Sequence, residues 1–145
     1  MASSSAVRYE EDLGRTSSGL RVVRVRLPKP AMGAKCYLVE RKGIYVLEAG
    51  EGVFRSLSCT HVGSGSVHIH DGLPDENGYF GNERMDPYSK EYMSANGRKL
   101  YAAVPQVMCF WMLDAGFRRG LTVVASGGAP DSVVFLSISW ISAND

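Results

Sequence analysis

The chain has 145 residues, with 16 Lys and Arg against 15 Asp and Glu and a net charge of +1. That length suits one domain, which at this size buries roughly 70% of the surface of its unfolded chain and folds without staples. A balance so near neutrality offers no long-range field for gripping a phosphate backbone, where each neutralised phosphate takes its own Lys or Arg, so nucleic acid is not expected as a partner.

Cys36, Cys59 and Cys109 are odd in number and scattered, which argues against a disulfide framework and for synthesis in a reducing cytoplasm. The stretch from Met1 to Arg8 lacks the apolar run of a secretion signal, and no segment approaches the roughly 18 apolar residues of a membrane span, so no membrane partner is expected.

Residues 1–19 are polar, with Ser3 to Ser5, Glu10-Glu-Asp12 and Thr16-Ser-Ser-Gly19. They have little to bury and are expected to form a flexible arm ahead of a single domain over 20–145. Leu20 to Leu27 alternates, with Val23, Val25 and Leu27 on one side and Arg24 and Arg26 on the other, which predicts a strand whose arginines face solvent or guard an edge. Cys36 to Glu40 and Ile44 to Glu48 flank Arg41-Lys-Gly43 and read as a hairpin with positive φ at Gly43. Val53 to His61 and Val67 to His70, joined by Val62-Gly-Ser-Gly-Ser66, read as a second hairpin.

Residues 72–98 break this rhythm. Few aliphatic residues occur there, and glycines, asparagines and acids are interleaved with Tyr79, Phe80, Met85, Tyr88, Tyr92 and Met93. A loop of this length in one domain is more often functional than ornamental. Large aromatic and Met side chains among adaptable small residues make it the expected interface, the competing reading being that these side chains fold back over one end of the domain. Within it, Asp86-Pro87 and the residues to Met93 read as an N-cap followed by about two turns of helix.

Lys99 to Val104 returns to strand, and the most apolar part of the chain follows. Val107 to Leu113, Leu121 to Ala125 and Val133 to Ile141 are short runs rich in β-branched and aromatic residues, separated by the turn-forming clusters Asp114-Ala-Gly116 and Ser126 to Asp131. In the last run Val134, Leu136, Ile138 and Trp140 share one face, and Val133, Phe135, Ser137, Ser139 and Ile141 the other. The sum is an all-β chain, an antiparallel β-sandwich or jelly roll of about eight or nine strands with one short helix in a long loop.

Cys59, His61, His68 and His70 carry soft and borderline ligands that suit a tetrahedral zinc site. Across a hairpin turning at Val62 to Ser66, however, Leu57, Cys59, Val67 and Ile69 fall on one apolar face and Ser58, Thr60, His68 and His70 on the other, which separates the ligands. His68 and His70 resemble the His-x-His of the cupin family, with Gly63 and Glu76 standing near that motif's glycine and glutamate. The spacing departs on both sides, and no histidine follows residue 70 to supply the ligand of the family's second motif. A solvated or interfacial position for the two imidazoles is the plainer expectation.

Asp71 to Gly78 lacks the ordered ligand spacing of a calcium loop. Neither Gly63-Ser-Gly65 nor Gly127-Gly128 opens a helix as a phosphate loop does. No serine lies in a nucleophile elbow and no carboxylate pair is marked out as acid and base. Trp111 and Trp140 have the surface to stack on sugars, yet both lie in the most apolar strands, where core packing is the plainer reading. A noncatalytic protein without a cofactor is expected.

The stretch from Val53 through Val67 to Asp71-Gly72, and Phe117-Arg-Arg-Gly-Leu-Thr-Val-Val124 followed by a Gly-Gly turn and Val133-Val-Phe135, resemble small structural proteins of tailed-phage virions, the head-decoration and tail or head-to-tail accessory β-sandwiches. The resemblance implies a virion protein made in a host cytoplasm. It also implies self-assembly as a trimer or larger ring, with arms and loops reaching other virion proteins. The alternatives left open are a carbohydrate- or surface-binding module and a cupin-like metal-dependent enzyme using His68 and His70.

Overall fold

The computed structural model describes residues 9–16, 19–30, 33–61, 66–73, 98–103, 109–127, 129 and 131–143. Ten strands occur among them: β1 (Tyr9–Arg15), β2 (Arg21–Arg26), β3 (Lys35–Arg41), β4 (Gly43–Ala49), β5 (Gly52–His61), β6 (Ser66–Asp71), β7 (Arg98–Ala103), β8 (Cys109–Phe117), β9 (Gly120–Ser126) and β10 (Val133–Ser142). They form a six-stranded sheet in the order β1-β2-β4-β9-β6-β7 and a four-stranded sheet in the order β3-β10-β5-β8. Among the described residues the fold is all-β in two sheets, consistent with a β-sandwich.

The alternation along β10 decides how the sheets meet. Val134, Leu136, Ile138 and Trp140 are fully buried, while Val133, Phe135 and Ile141 on the other side are 37–44% exposed. The inward row joins Tyr37 and Val39 of β3 and Phe54, Leu57 and Cys59 of β5. Across the gap stand Val23, Val25, Tyr45, Leu47, Val67, Ile69, Leu121 and Val123 of the six-stranded sheet. Removing such a side chain from water contributes about 1.5–3 kcal/mol. On β5, a register shift between Phe54 and Ser56 lets both Phe54 and Leu57 face inward although they are three residues apart, which is what a bulge does to side-chain parity.

From β3 onward the chain pairs with itself as one long double-stranded ribbon: β3 with β10, β4 with β9, β5 with β8 and β6 with β7, each pair antiparallel. Successive segments of this ribbon alternate between the two sheets. The two hairpins expected at Arg41-Lys-Gly43 and Val62 to Ser66 therefore do not form. β3 and β4 lie in opposite sheets, as do β5 and β6.

Lys42 is the corner between β3 and β4, its N–H donating to the Ser132 carbonyl at 3.0 Å. Gly43 is absent from the positive-φ glycines of the described residues. What it supplies is room: a Cβ there would stand 2.9 Å from the Arg21 carbonyl oxygen and 3.2 Å from the Tyr45 ring.

Other expectations shift. The sheet begins inside the expected arm, because Tyr9–Arg15 pairs antiparallel with β2. The turn between them closes with Thr16 N–H donating to the Leu20 carbonyl at 2.9 Å and Gly19 N–H to the Thr16 carbonyl at 3.0 Å. β2 is thus an interior strand, antiparallel to β1 and parallel to β4. Its Arg24 and Arg26 face solvent as one expected alternative had it, with side chains 41% and 69% exposed, and Arg24 reaches Glu11 of β1 at 3.4 Å. Asp114-Ala-Gly116 lies within β8, and the chain turns at Arg118 and Arg119. The expected short helix at 86–93 lies outside the described residues.

Candidate functional site

The two sheets present different outer faces. On the six-stranded sheet Ile44 and Val46 of β4, Thr122 and Val124 of β9 and His68 and His70 of β6 point away from the inter-sheet core, and none is more than 9% exposed. Val124 stands between Ile44 and His68, and Thr122 between Val46 and His70. The central strands of this sheet are therefore shielded on both faces, and Val22, Ile44 and Val124 with Leu20 make a second small apolar cluster.

The solvated or interfacial position expected for His68 and His70 is not found: both are buried within the chain, with ring centroids 6.1 Å apart and tilted by 57°. Cys59, 1% exposed, faces the core from the other sheet, and His61 lies opposite Phe135 on β10. The expected separation of Cys59 from the two histidines thus arises from two sheets, not from one hairpin's parity. Among the described residues no three His, Cys, Asp or Glu side chains stand close enough to hold a metal ion.

The four-stranded sheet turns an open face outward. Leu38 on β3 and Val133, Phe135 and Ile141 on β10 are exposed, and so is Cys36 beside Leu38. Between these lie half-buried serines. Ser137 of β10 is opposite Leu38 of β3 and Ser58 of β5, and Ser139 is opposite Cys36 and Ser56. The hydroxyls knit the strands together: Cys36 Sγ is 3.3 Å from Ser137 Oγ, and Ser56 Oγ is hydrogen-bonded to Ser139 Oγ. β10, Val133–Ser142, contributes no charged side chain to this surface. Exposed apolar side chains gathered on one rigid face mark contact sites more often than scattered ones do.

At the end of the sandwich where β5 begins and β8 ends, a cleft of about 580 Å³ opens between Glu51, Gly52, Asp71, Phe117 and Arg118. Asp71 is occupied with folding. Its Oδ1 accepts the backbone N–H groups of Arg118 at 3.0 Å and Arg119 at 2.9 Å, which fixes the β8–β9 turn, a charge-assisted arrangement of the stronger kind.

The candidate interface residues Tyr79, Phe80, Met85, Tyr88, Tyr92 and Met93 lie outside the described residues, as does the side chain of Trp111. Trp140 is fully buried. Neither Lys42, expected only as part of the Arg41-Lys-Gly43 turn, nor Glu48 is singled out by the sequence. Lys42 is 2% exposed and its ammonium donates to the Gly127 carbonyl; burial lowers its pKa below the ordinary 10.5. The only sequence signal was its position between two apolar runs. Glu48 accepts from both Lys35 and Trp140.

Comparison with family models, curated proteins and solved structures finds no match to the chain.

Proposed function

We propose that the chain is a noncatalytic structural component of a tailed-phage virion, a capsid-decoration or tail or head-to-tail accessory protein, whose sandwich is a jelly roll. Support for the jelly roll comes from the ribbon pairing of β3 to β10, in which the order β3-β10-β5-β8 faces β4-β9-β6-β7. Folding one long antiparallel ribbon over itself produces that alternation, and jelly rolls recur in viral capsid and lectin domains and in cupins. Fold alone does not choose among these functions.

The observation that carries the choice is the set of apolar side chains Leu38, Val133, Phe135 and Ile141, exposed together on a rigid sheet. Such a face suits burial against protein. The protein self-associates and reaches neighbouring virion proteins through residues 1–19 and the 72–98 loop, with Tyr79, Phe80, Met85, Tyr88, Tyr92 and Met93 as its contacts. A symmetric assembly of this kind needs roughly 1,000 Å² or more in each specific interface.

A carbohydrate-binding module is the second reading, favoured by Phe135, which at 44% exposure presents a ring on the open sheet. Sedimentation across a dilution series, combined with a glycan-binding screen, separates the two. Association above the monomer without glycan binding is expected. A monomer at every concentration that binds glycan and loses binding on Phe135→Ala overturns the assembly reading.

A further inference from the structure

The open face of the four-stranded sheet has a symmetry of its own. Along β10, after Val133, the outward residues run Phe135, Ser137, Ser139, Ile141, apolar at both ends and hydroxylic in the middle. The flanking strands are centred on the same midpoint. Leu38 and Cys36 lie beside Ser137 and Ser139 on β3, and Ser58 and Ser56 lie beside them on β5. A two-fold axis perpendicular to the strands, passing between Ser137 and Ser139, sets Phe135 of one copy against Ile141 of the other. It also sets Ser137 against Ser139, Leu38 against Cys36 and Ser58 against Ser56. Apolar groups meet apolar groups and hydroxyls meet hydroxyls, the condition for an isologous contact in which one patch serves both partners.

We infer that this face binds a second copy of the same chain, sheet against sheet, through Leu38, Phe135 and Ile141 packed around a band of serines. The size is adequate. Four strands about 4.8 Å apart, each contributing about eight residues that rise about 3.3 Å, make a face of roughly 500 Å², so two copies bury about 1,000 Å², which a specific interface requires. Desolvation is cheapest along β10, which brings no ion into the contact and whose central hydroxyls already have partners in Cys36 with Ser137 and Ser56 with Ser139; of the charges on the flanking strands, Glu40 is exposed on β3 and Arg55 of β5 is paired with Asp114 of β8 at 2.7 Å. Burying polar groups that keep their hydrogen bonds avoids the penalty of leaving them unmade. The inference does not depend on the virion reading.

Cys36 is a built-in reporter. It is exposed on this face, whereas Cys59 is buried, and in the two-fold arrangement the two Cys36 Cα atoms stand roughly 12 Å apart, from a sheet spacing of about 10 Å and a two-residue offset of about 7 Å. The full chain carrying Cys109→Ser, treated with a short bis-maleimide, is expected to yield a covalent dimer. That dimer disappears in Cys36→Ser and falls at least ten-fold in yield in Leu38→Lys/Phe135→Lys, whose melting transition remains cooperative. Ile141→Lys, at the opposite end of the face, serves as an independent second disruption. Absence of the cross-link in Cys109→Ser, or an undiminished yield in both lysine variants, overturns the inference. A chain that cross-links through Cys36 yet is missing from virions leaves this contact standing and removes the virion reading; a virion component that does not cross-link does the reverse.

Discussion

The indole of Trp140 on β10 donates from Nε1 to Glu48 Oε1 on β4 at 3.0 Å, joining the two sheets through a side chain that is otherwise wholly enclosed. Lys35 Nζ reaches the same oxygen at 3.3 Å, and the Lys35 and Glu48 side chains are only 10% and 12% exposed. One carboxylate thus serves a buried donor and a nearly buried cation at once. Truncating or neutralising one member of such a network costs more than the net value of any single bond, because the remaining groups stay desolvated. Glu48→Gln is expected to lower unfolding stability by about 1–3 kcal/mol. Chemical denaturation measures it, and an unchanged midpoint would mean the carboxylate charge contributes nothing.

Substitutions along β10 test its two-faced character. Ile138, fully buried between the sheets, and Phe135, exposed on the outer face, lie three residues apart. Ile138→Ala leaves a cavity and is expected to cost about 2–5 kcal/mol, whereas Phe135→Ala in the dissociated chain is expected to stay within about 0.5 kcal/mol of the parent. Equal effects at the two positions would contradict the alternation.

Two glycines at the cleft should behave differently. A Cβ on Gly52 would collide with the Ile141 carbonyl and stand 2.6 Å from a ring carbon of Phe117, whereas the nearest contact for one on Gly116 is 3.9 Å away. Overpacking against backbone is expected to make Gly52→Ala cost about 1–3 kcal/mol, with Gly116→Ala within about 0.5 kcal/mol of the parent. Thermal melts of the two variants side by side check the difference.

Lys42 and Tyr45 give opposite signs to the alkaline limb of stability. Burial lowers the Lys42 pKa from 10.5, so below that value the unfolded chain holds this proton more firmly, and stability rises with pH through the window that ends at 10.5. Tyr45 is raised above 10.0, chiefly by burial, so its contribution is complete below 10.0 and is lost as pH climbs through its folded value. Denaturation curves collected from neutral to strongly alkaline pH should show Lys42→Met flattening the rise and Tyr45→Phe removing the later fall. Tyr45→Phe also costs about 1 kcal/mol at neutral pH through loss of the hydroxyl bond to the Arg41 carbonyl. Unaltered slopes in both variants would refute the assignments.

Alternation was the legible part of the sequence. Val134 to Trp140 on β10 and Val23, Val25 and Leu27 on β2 and beyond fall on the faces their spacing indicates, because a period of two follows from the pleat itself. Which sheet a strand joins was not legible. Arg41-Lys-Gly43 and Val62 to Ser66 have the composition of hairpin turns, yet the first is a corner crossing between sheets and the second links strands in opposite sheets. Turn chemistry specifies how sharply a chain bends and leaves open whether the next strand pairs beside the last or packs across from it.

The outer face of the four-stranded sheet was half legible for the same reason. Val133, Phe135, Ser137, Ser139 and Ile141 were read as one side, but their junction with Cys36, Leu38, Ser56 and Ser58 depends on long-range pairing. The burial of His68 and His70 likewise reflects shielding of a second sheet face, which the short motif His68-Ile-His70 does not encode.

Assembly into a particle is the central claim, and the most direct measurement is quantitative mass spectrometry of purified virions. The chain is expected at a fixed, multi-copy ratio to the major capsid protein that survives gradient purification. Abundance in the infected-cell lysate with absence from purified particles would contradict the account.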